Sequence, residues 1–249
     1  MEEFNPFTLK GKTILVTGAS SGIGRGIAIA CSKMGATVVL NGRNEQRLSE
    51  TMAEMAGDSH MSLAADLSDS KAMAEMVAKL PALNGIVHCA GIGQRVLCKQ
   101  LQESDLDNMM DVNFKAPVML QTEVLKQKKI NKGASVVFIA SIAYDSPTIG
   151  NSMYSASKGA IISYANCLAL ELAPRLIRVN CILPAMIWTD LIFKGGITEE
   201  QLKEDEKKYP LKRYGKPEDV ANLAIYLLSD ASEWMSGSSI KLTGGVNKL

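Results

Sequence analysis

A chain of 249 residues is long enough to bury roughly three quarters of its unfolded surface in one core, and its length does not demand a second domain. Lys+Arg number 27 against Asp+Glu 26, so no basic footprint points to nucleic acid and no acidic tract points to a disordered partner segment. No stretch approaches the roughly 18 apolar residues of a membrane span; the acidic start Met1-Glu2-Glu3 and five cysteines without a Cys-x-x-Cys spacing predict a cytoplasmic protein with reduced thiols.

The β-branched apolar run 13–16 predicts a buried strand, and Thr17-Gly18-Ala19-Ser20-Ser21-Gly22-Ile23-Gly24 leads from it into a helix beginning near Arg25. Gly18 permits a tight turn, Gly22 lets the backbone approach a phosphate, and Gly24 lets the helix pack close to the strand. A helix N-terminus there offers N–H groups and a positive dipole end to a pyrophosphate. The candidate phosphate cradle is therefore Gly18, Ser20, Ser21, Gly22, Ile23 and Gly24.

Further strands are predicted over 37–40, 61–64, 85–88, 135–140, 178–183 and 239–242, alternating with helices over 45–55, 71–80, 103–126, 154–172 and 217–228. This alternation implies parallel β-α-β units. The fold class is α/β: one doubly wound Rossmann-type domain, with a mainly parallel seven-stranded sheet and helices on both faces. Between Pro184 and Tyr214 the pattern lapses around Gly195-Gly196. The charged run 199–208 reads as a solvated helical face, and the excursion at about 185–214 as a flap over a substrate.

In such folds an acid at the end of the second strand holds the ribose hydroxyls of NAD. Here Asn41-Gly42-Arg43 occupies that place, which removes a repelling carboxylate and supplies a guanidinium for a 2′-phosphate. NADP(H) is favoured over NAD(H).

Tyr154 and Lys158 are four apart on a predicted helix and share a face. Moving a tyrosine from a pKa of about 10 to neutrality takes roughly 4 kcal/mol. An ammonium about 6 Å away, at an effective dielectric near 20, supplies roughly 3 kcal/mol. Ser141 ends the strand 135–140, and ligands of open α/β sheets bind at the carboxyl ends of strands. His60 and His88 belong to no ligand cluster, so no metal is expected and both read as structural.

The glycine turn, Asp66, Ala90-Gly91, Asn113, Ser141, Tyr154, Lys158, and Pro184 with Thr189 together resemble the short-chain dehydrogenase/reductase family over essentially the whole chain. The resemblance implies a catalytic tetrad. Tyr154 is the general acid/base, Ser141 holds the substrate carbonyl, Lys158 binds the nicotinamide ribose and depresses the tyrosine pKa, and Asn113 holds a relay water. It also implies that Asp66 and Leu67 border the adenine, that Cys89, Ala90 and Gly91 line the cofactor, that Pro184, Ile187 and Thr189 border the nicotinamide, and that the protein is a homotetramer or homodimer. Three positions depart from the family pattern: Cys89 for an asparagine, Ala185 for a glycine and Thr243 for an aspartate.

Within the family the resemblance is nearest to 3-oxoacyl-[acyl-carrier-protein] reductases of fatty-acid synthesis, which implies NADPH-dependent reduction of a ketone to a secondary alcohol. The substrate is then a small ketone or an acyl-carrier-protein thioester. Arg175 and Lys126, Lys128, Lys129 and Lys132 form a basic set that either meets an acidic carrier or complements helix dipoles. A sugar, polyol or general carbonyl dehydrogenase is the alternative within the enzyme class, and a non-catalytic NADP-sensing protein the alternative outside it. The intact tetrad favours the enzyme, because a sensor needs no proton donor beside its nicotinamide.

Overall fold

Ile14, Leu15 and Val16 have no exposed surface, so the strand they form has to lie inside a sheet covered on both faces. The computed structural model describes residues 4–195 and 197–246. Met1–Glu3 and Gly196, which figure in the expectations above, lie outside the described residues. The chain runs β1 (Thr13–Thr17), α1 (Gly22–Lys33), β2 (Thr37–Gly42), α2 (Glu45–Ala53), β3 (Met61–Ala64), α3 (Ser70–Ala78) and β4 (Leu83–His88). It continues through α4 (Glu103–Met110), α5 (Ala116–Lys126), β5 (Ile130–Ile139), α6 (Ser152–Leu172), β6 (Arg178–Pro184), α7 (Glu199–Glu206), α8 (Pro217–Leu228) and β7 (Ser239–Leu242).

The seven strands form one sheet in the order β3-β2-β1-β4-β5-β6-β7, and every pairing is parallel. Alternate residues of each strand feed opposite cores. Leu15, Ile86 and Val136 meet α3, α5 and α6 through Val77, Leu120 and Ile161. Ile14, Val16 and Val137 meet α1 and α8 through Ile27, Ala224 and Leu228. The chain thus folds as one α/β domain of Rossmann type. The strand order reverses between β1 and β4, which opens a crevice at their carboxyl ends.

Three elements differ from the sequence reading. The helix expected over 103–126 is divided by a π turn, Asp111–Lys115. Pro117 accounts for it: proline has no N–H to give to the carbonyl of Asn113 four residues back, so the α-helical ladder cannot run through. β5 starts at Ile130, five residues early, because its first part pairs with Leu83 before a register shift brings Ser135 opposite Gly85. The excursion after β6 holds a helix, α7, whose Leu202 packs with Tyr209 and Tyr214 against Met186, Trp188 and Ile192. Both ends of this segment are tied down. Ala185 N–H donates to Leu242 O at 3.0 Å, Trp188 N–H donates to Gly215 O at 2.9 Å, and Gly215 N–H donates to Met186 O at 3.0 Å.

Candidate active site

The carboxyl ends of the strands open into a cleft of about 640 Å³. All the sequence-predicted cofactor and catalytic residues line it except Asn113. Its floor is the junction of β1 and β4. Gly18 has φ +66°, and a Cβ placed there would lie 2.9 Å from Ala90 Cα, so the crossing needs glycine. Gly22 has φ +52°, and its missing Cβ faces the Thr189 side chain at 3.1 Å. Gly24 packs against the backbone of Gly18, where a side chain has no room. Ser21, the N-cap of α1, makes no side-chain capping bond, so the first N–H groups of the helix face the cleft without a side-chain partner.

At Cys89, which departs from the family pattern, the end of the central strand is fixed through the backbone. Thr17 Oγ1 accepts from the N–H of Cys89 at 3.0 Å and of Ala90 at 3.1 Å, and so joins β1 to the end of β4. Burial pushes the Cys89 thiol up to about 12, which keeps it a neutral wall of the cleft.

At the end of β2, Asn41 lines the cleft, but its amide Nδ2 donates to Leu63 O (3.0 Å) and bridges to β3. The side chain of Asn41 therefore serves the sheet. Arg43 is largely exposed, in a loose ion pair with Asp66 at 3.9 Å. Asp66 is held below the usual carboxylate range mainly by the Ser68 hydroxyl and N–H, at 2.7 and 2.9 Å, with Arg43 contributing least. Leu67 is buried beside it. Arg47, on α2, also reaches the cleft and pairs with Asp190 at 3.3 Å.

Tyr154 lies in the first turn of α6 and Lys158 one turn on, its Nζ 5.6 Å from the tyrosine ring centre. Lys158 Nζ donates to Ile139 O at 2.9 Å, which anchors it to the end of β5. Burial lowers Lys158 to about 8, against the opposing pull of Cys89 and Cys181. Tyr154 is raised above its ordinary value: burial dominates, and a hydrogen bond with Ser141 offsets only part of it. The depression expected from the lysine does not arise, because desolvation outweighs a charge lodged over the ring rather than at the hydroxyl. Ser141 Oγ accepts from Ala143 N–H at 3.1 Å, which fixes the serine at the end of β5 with its hydroxyl turned toward Tyr154.

Asn113 sits on the π turn, behind the cleft wall and almost fully buried. Its Oδ1 accepts from Ile92 N–H at 2.8 Å, and its Nδ2 donates to Ile92 O at 3.0 Å and Ser157 Oγ at 3.2 Å. The amide thus ties the loop after β4 to α6. Pro184 ends β6, and Ile187 and Thr189 follow it along the cleft. Ala185 keeps the chain on course through its bond to Leu242 without a glycine.

Polar residues that sequence reasoning did not single out also line the cleft, among them Arg47, Arg95, Thr148, Asn151 and Asp190. Only their position after strand ends could have marked them. The basic set lies elsewhere. Arg175 Nη2 donates to Ile130 O at 2.7 Å, and Lys129 Nζ donates to Ala78 O and Leu80 O, both at 2.8 Å, at the carboxyl end of α3. Ile130 and Ser141 flank opposite ends of β5, roughly 30 Å apart at the rise of an extended strand. His60 and His88 are engaged with Val38 N–H and Gln121. Among the described residues no helix is long and apolar enough to cross a membrane.

A family model described as enoyl-(acyl carrier protein) reductase matches residues 18–247. The 3-oxoacyl-[acyl-carrier-protein] reductase FabG of Rickettsia felis is 34% identical, over 96% of this chain and 98% of that protein. A dehydrogenase/reductase from Sinorhizobium meliloti superposes with a TM-score of 0.89 at 30% identity, covering 97% of each chain. A Beutenbergia cavernae protein, provisionally described as an NAD(P)-dependent gluconate 5-dehydrogenase and solved with NADP at low occupancy, gives 0.85 at 30% identity, over 97% of this chain and 98% of that one.

Proposed function

The chain belongs to the short-chain dehydrogenase/reductase family, NAD(P)-dependent oxidoreductases acting on CH–OH groups, and from that premise we propose that it reduces a ketone to a secondary alcohol with NADPH, Tyr154 giving the proton. The observation that carries this reading is the convergence of Ser141, Tyr154 and Lys158 on the cleft that begins at the glycine turn. The lining fits a dinucleotide. The uncapped start of α1 meets the pyrophosphate, Asp66 and Leu67 border the adenine, and Pro184, Ile187 and Thr189 border the nicotinamide. Arg43 takes the 2′-phosphate and sets the preference for NADPH.

The nicotinamide, when bound, supplies the hydride to the carbonyl carbon. Ser141 and Tyr154 donate to the carbonyl oxygen and stabilise the charge that grows on it. Burial keeps Tyr154 protonated at neutral pH, the state a proton donor needs for reduction. Lys158, titrating near 8, is still cationic there and stabilises the phenolate left behind. The side chain of Asn113 is committed to Ile92 and Ser157, so its share in reloading Tyr154 is a water held on its backbone carbonyl.

Two substrate classes are suggested by the names of similar proteins: a 3-oxoacyl carrier-protein thioester and a gluconate-type sugar acid. In a single protomer a carrier held at Arg175 would stand a strand's length from Ser141, which favours a small substrate. We place the enzyme in the cytoplasm, as a homotetramer or homodimer. The five unpaired cysteines fit that compartment, and exposed Leu106, Met119, Leu170 and Trp234 offer apolar surface for assembly.

NADPH oxidation followed by absorbance, against a 3-oxoacyl carrier-protein thioester, its carrier-free analogue, a keto-sugar acid and simple ketones, tests the reading. Turnover at least about tenfold better with NADPH than NADH, and loss of that preference in Arg43→Ala, are expected. Equal use of the two cofactors by the wild type would overturn the role of Arg43. Carrier-dependent turnover would overturn the small-substrate assignment.

A further inference from the structure

Four basic side chains line the cleft, and three are accounted for. Arg43 faces Asp66, Arg47 faces Asp190, and Lys158 donates to Ile139 O. The fourth, Arg95, has neither an acidic partner nor a hydrogen bond among the described residues. Asp105, the acid reached by the neighbouring Gln94, is held by Gln94 Nε2 at 2.9 Å and by the Gln102 N–H at 3.2 Å. Asp66 and Asp190 are the acids of the lining, and both are matched by the other two arginines. The part of the cleft around Arg95 therefore carries uncompensated positive charge.

That part lies next to Tyr154. Val96 N–H donates to Gly150 O at 2.8 Å, so the loop after β4 is stitched to the loop that leads into α6. Gly150 adopts φ +78°, and a Cβ there would stand 3.5 Å from Arg95 Cβ. Tyr154 comes four residues later. On the other side, Leu191 of the excursion lies 3.4 Å from the Cβ position of Gly93. Arg95 thus rises from a loop clamped between the start of α6 and the excursion, where a substrate presenting its carbonyl to Tyr154 would extend. Thr148, two residues before Gly150, also lines the cleft, and its Oγ1 is buried with no hydrogen-bond partner. A buried hydroxyl without a partner is costly unless a ligand satisfies it.

We propose that Arg95 and Thr148 form an anion subsite, so that the substrate carries an anionic oxygen group at its end remote from the ketone. The inference rests on the ketone-reducing reading above and specifies its substrate class. The anionic group is either the carboxylate of a free oxo acid or the phosphate of a thioester arm. A guanidinium binds both through paired N–H donors.

The test compares kcat/KM for 3-oxobutanoate, 4-oxopentanoate and 5-oxohexanoate with that for their methyl esters, and for 3-oxobutanoyl pantetheine with and without its 4′-phosphate. The wild type should prefer the anion in at least one of the two series by roughly 10- to 100-fold, chiefly through KM, and that series identifies the source. Arg95→Gln should bring the ratio of anion to neutral analogue to near unity, Arg95→Lys should restore part of it, and Thr148→Val should reduce it severalfold. NADPH affinity, measured by fluorescence titration, reports that the variants are folded. If the wild type turns over anionic and neutral ketones equally, the subsite is wrong while the role of Tyr154 stands. Retention of the wild-type ratio by Arg95→Gln would overturn the subsite in the same way. If the wild type reduces no ketone with either cofactor, the ketone-reductase reading fails and takes this inference with it.

Discussion

At the scale of single residues, burial decides more of the chemistry than neighbouring charge does. The spacing of Tyr154 and Lys158, readable in the sequence, predicts a phenol depressed by the ammonium. The depth at which α6 sets the phenol is not readable there, and that depth raises its pKa instead. Cys89 obeys the same logic, since the sequence shows a thiol there but not the burial that keeps it neutral or the Thr17 hydroxyl that holds its backbone. His88 carries the most direct pH consequence. Its ring is buried, stacked on Phe138 with centres 4.5 Å apart, and its Nε2 bonds Gln121 Oε1 at 3.0 Å. Burial lowers it to about 4, with Gln121 opposing. Between about 4 and 6.5 the unfolded chain binds the proton that the folded ring refuses. Stability therefore falls as pH drops through that window, by about 3 kcal/mol in all. Urea denaturation at pH 7 and pH 4.5 should show a steeper loss in the wild type than in His88→Asn; equal losses would remove His88 as the cause.

At the scale of elements, the glycine turn, the strands and most helices are set by periodicity and punctuation, because a buried parallel strand has to be apolar and each helix has to cover it. The π turn at Asp111–Lys115 is not legible in that way, although its cause stands in plain view as Pro117. A proline in a helical run normally signals an end, yet here tertiary packing carries the helix past it and leaves the carbonyl of Asn113 without its usual donor. That gives Pro117 a positioning role in the proton relay. Pro117→Ala restores an N–H opposite that carbonyl and should lower kcat roughly tenfold, with NADPH affinity retained and a changed solvent isotope effect. An unchanged kcat and isotope effect would place the relay elsewhere. The excursion is legible as a break in pattern but not as a packed unit. The residues that make it one, Leu202, Tyr209 and Tyr214, are scattered singly among charges.

At the scale of the molecule, the parallel sheet brings the carboxyl ends of β1, β2, β4, β5 and β6 to one rim, and the candidate residues ride on the turns and helix starts beyond those ends. This explains why so much of the site can be read from the sequence. Each motif marks a strand end, and the topology does the assembly. Arg95 and Thr148 are not legible because they come from loops far apart in sequence that meet through tertiary contacts such as the bond from Val96 N–H to Gly150 O. On the proposed reading this rim delivers a proton from Tyr154 to a carbonyl as hydride leaves NADPH. Single-turnover oxidation of NADPH by a saturating ketone, followed for the wild type and Tyr154→Phe at pH 7, tests it most directly. The variant should keep near wild-type NADPH affinity and transfer hydride roughly 10²- to 10⁴-fold more slowly; equal transfer rates in the two proteins would remove Tyr154 as the proton donor.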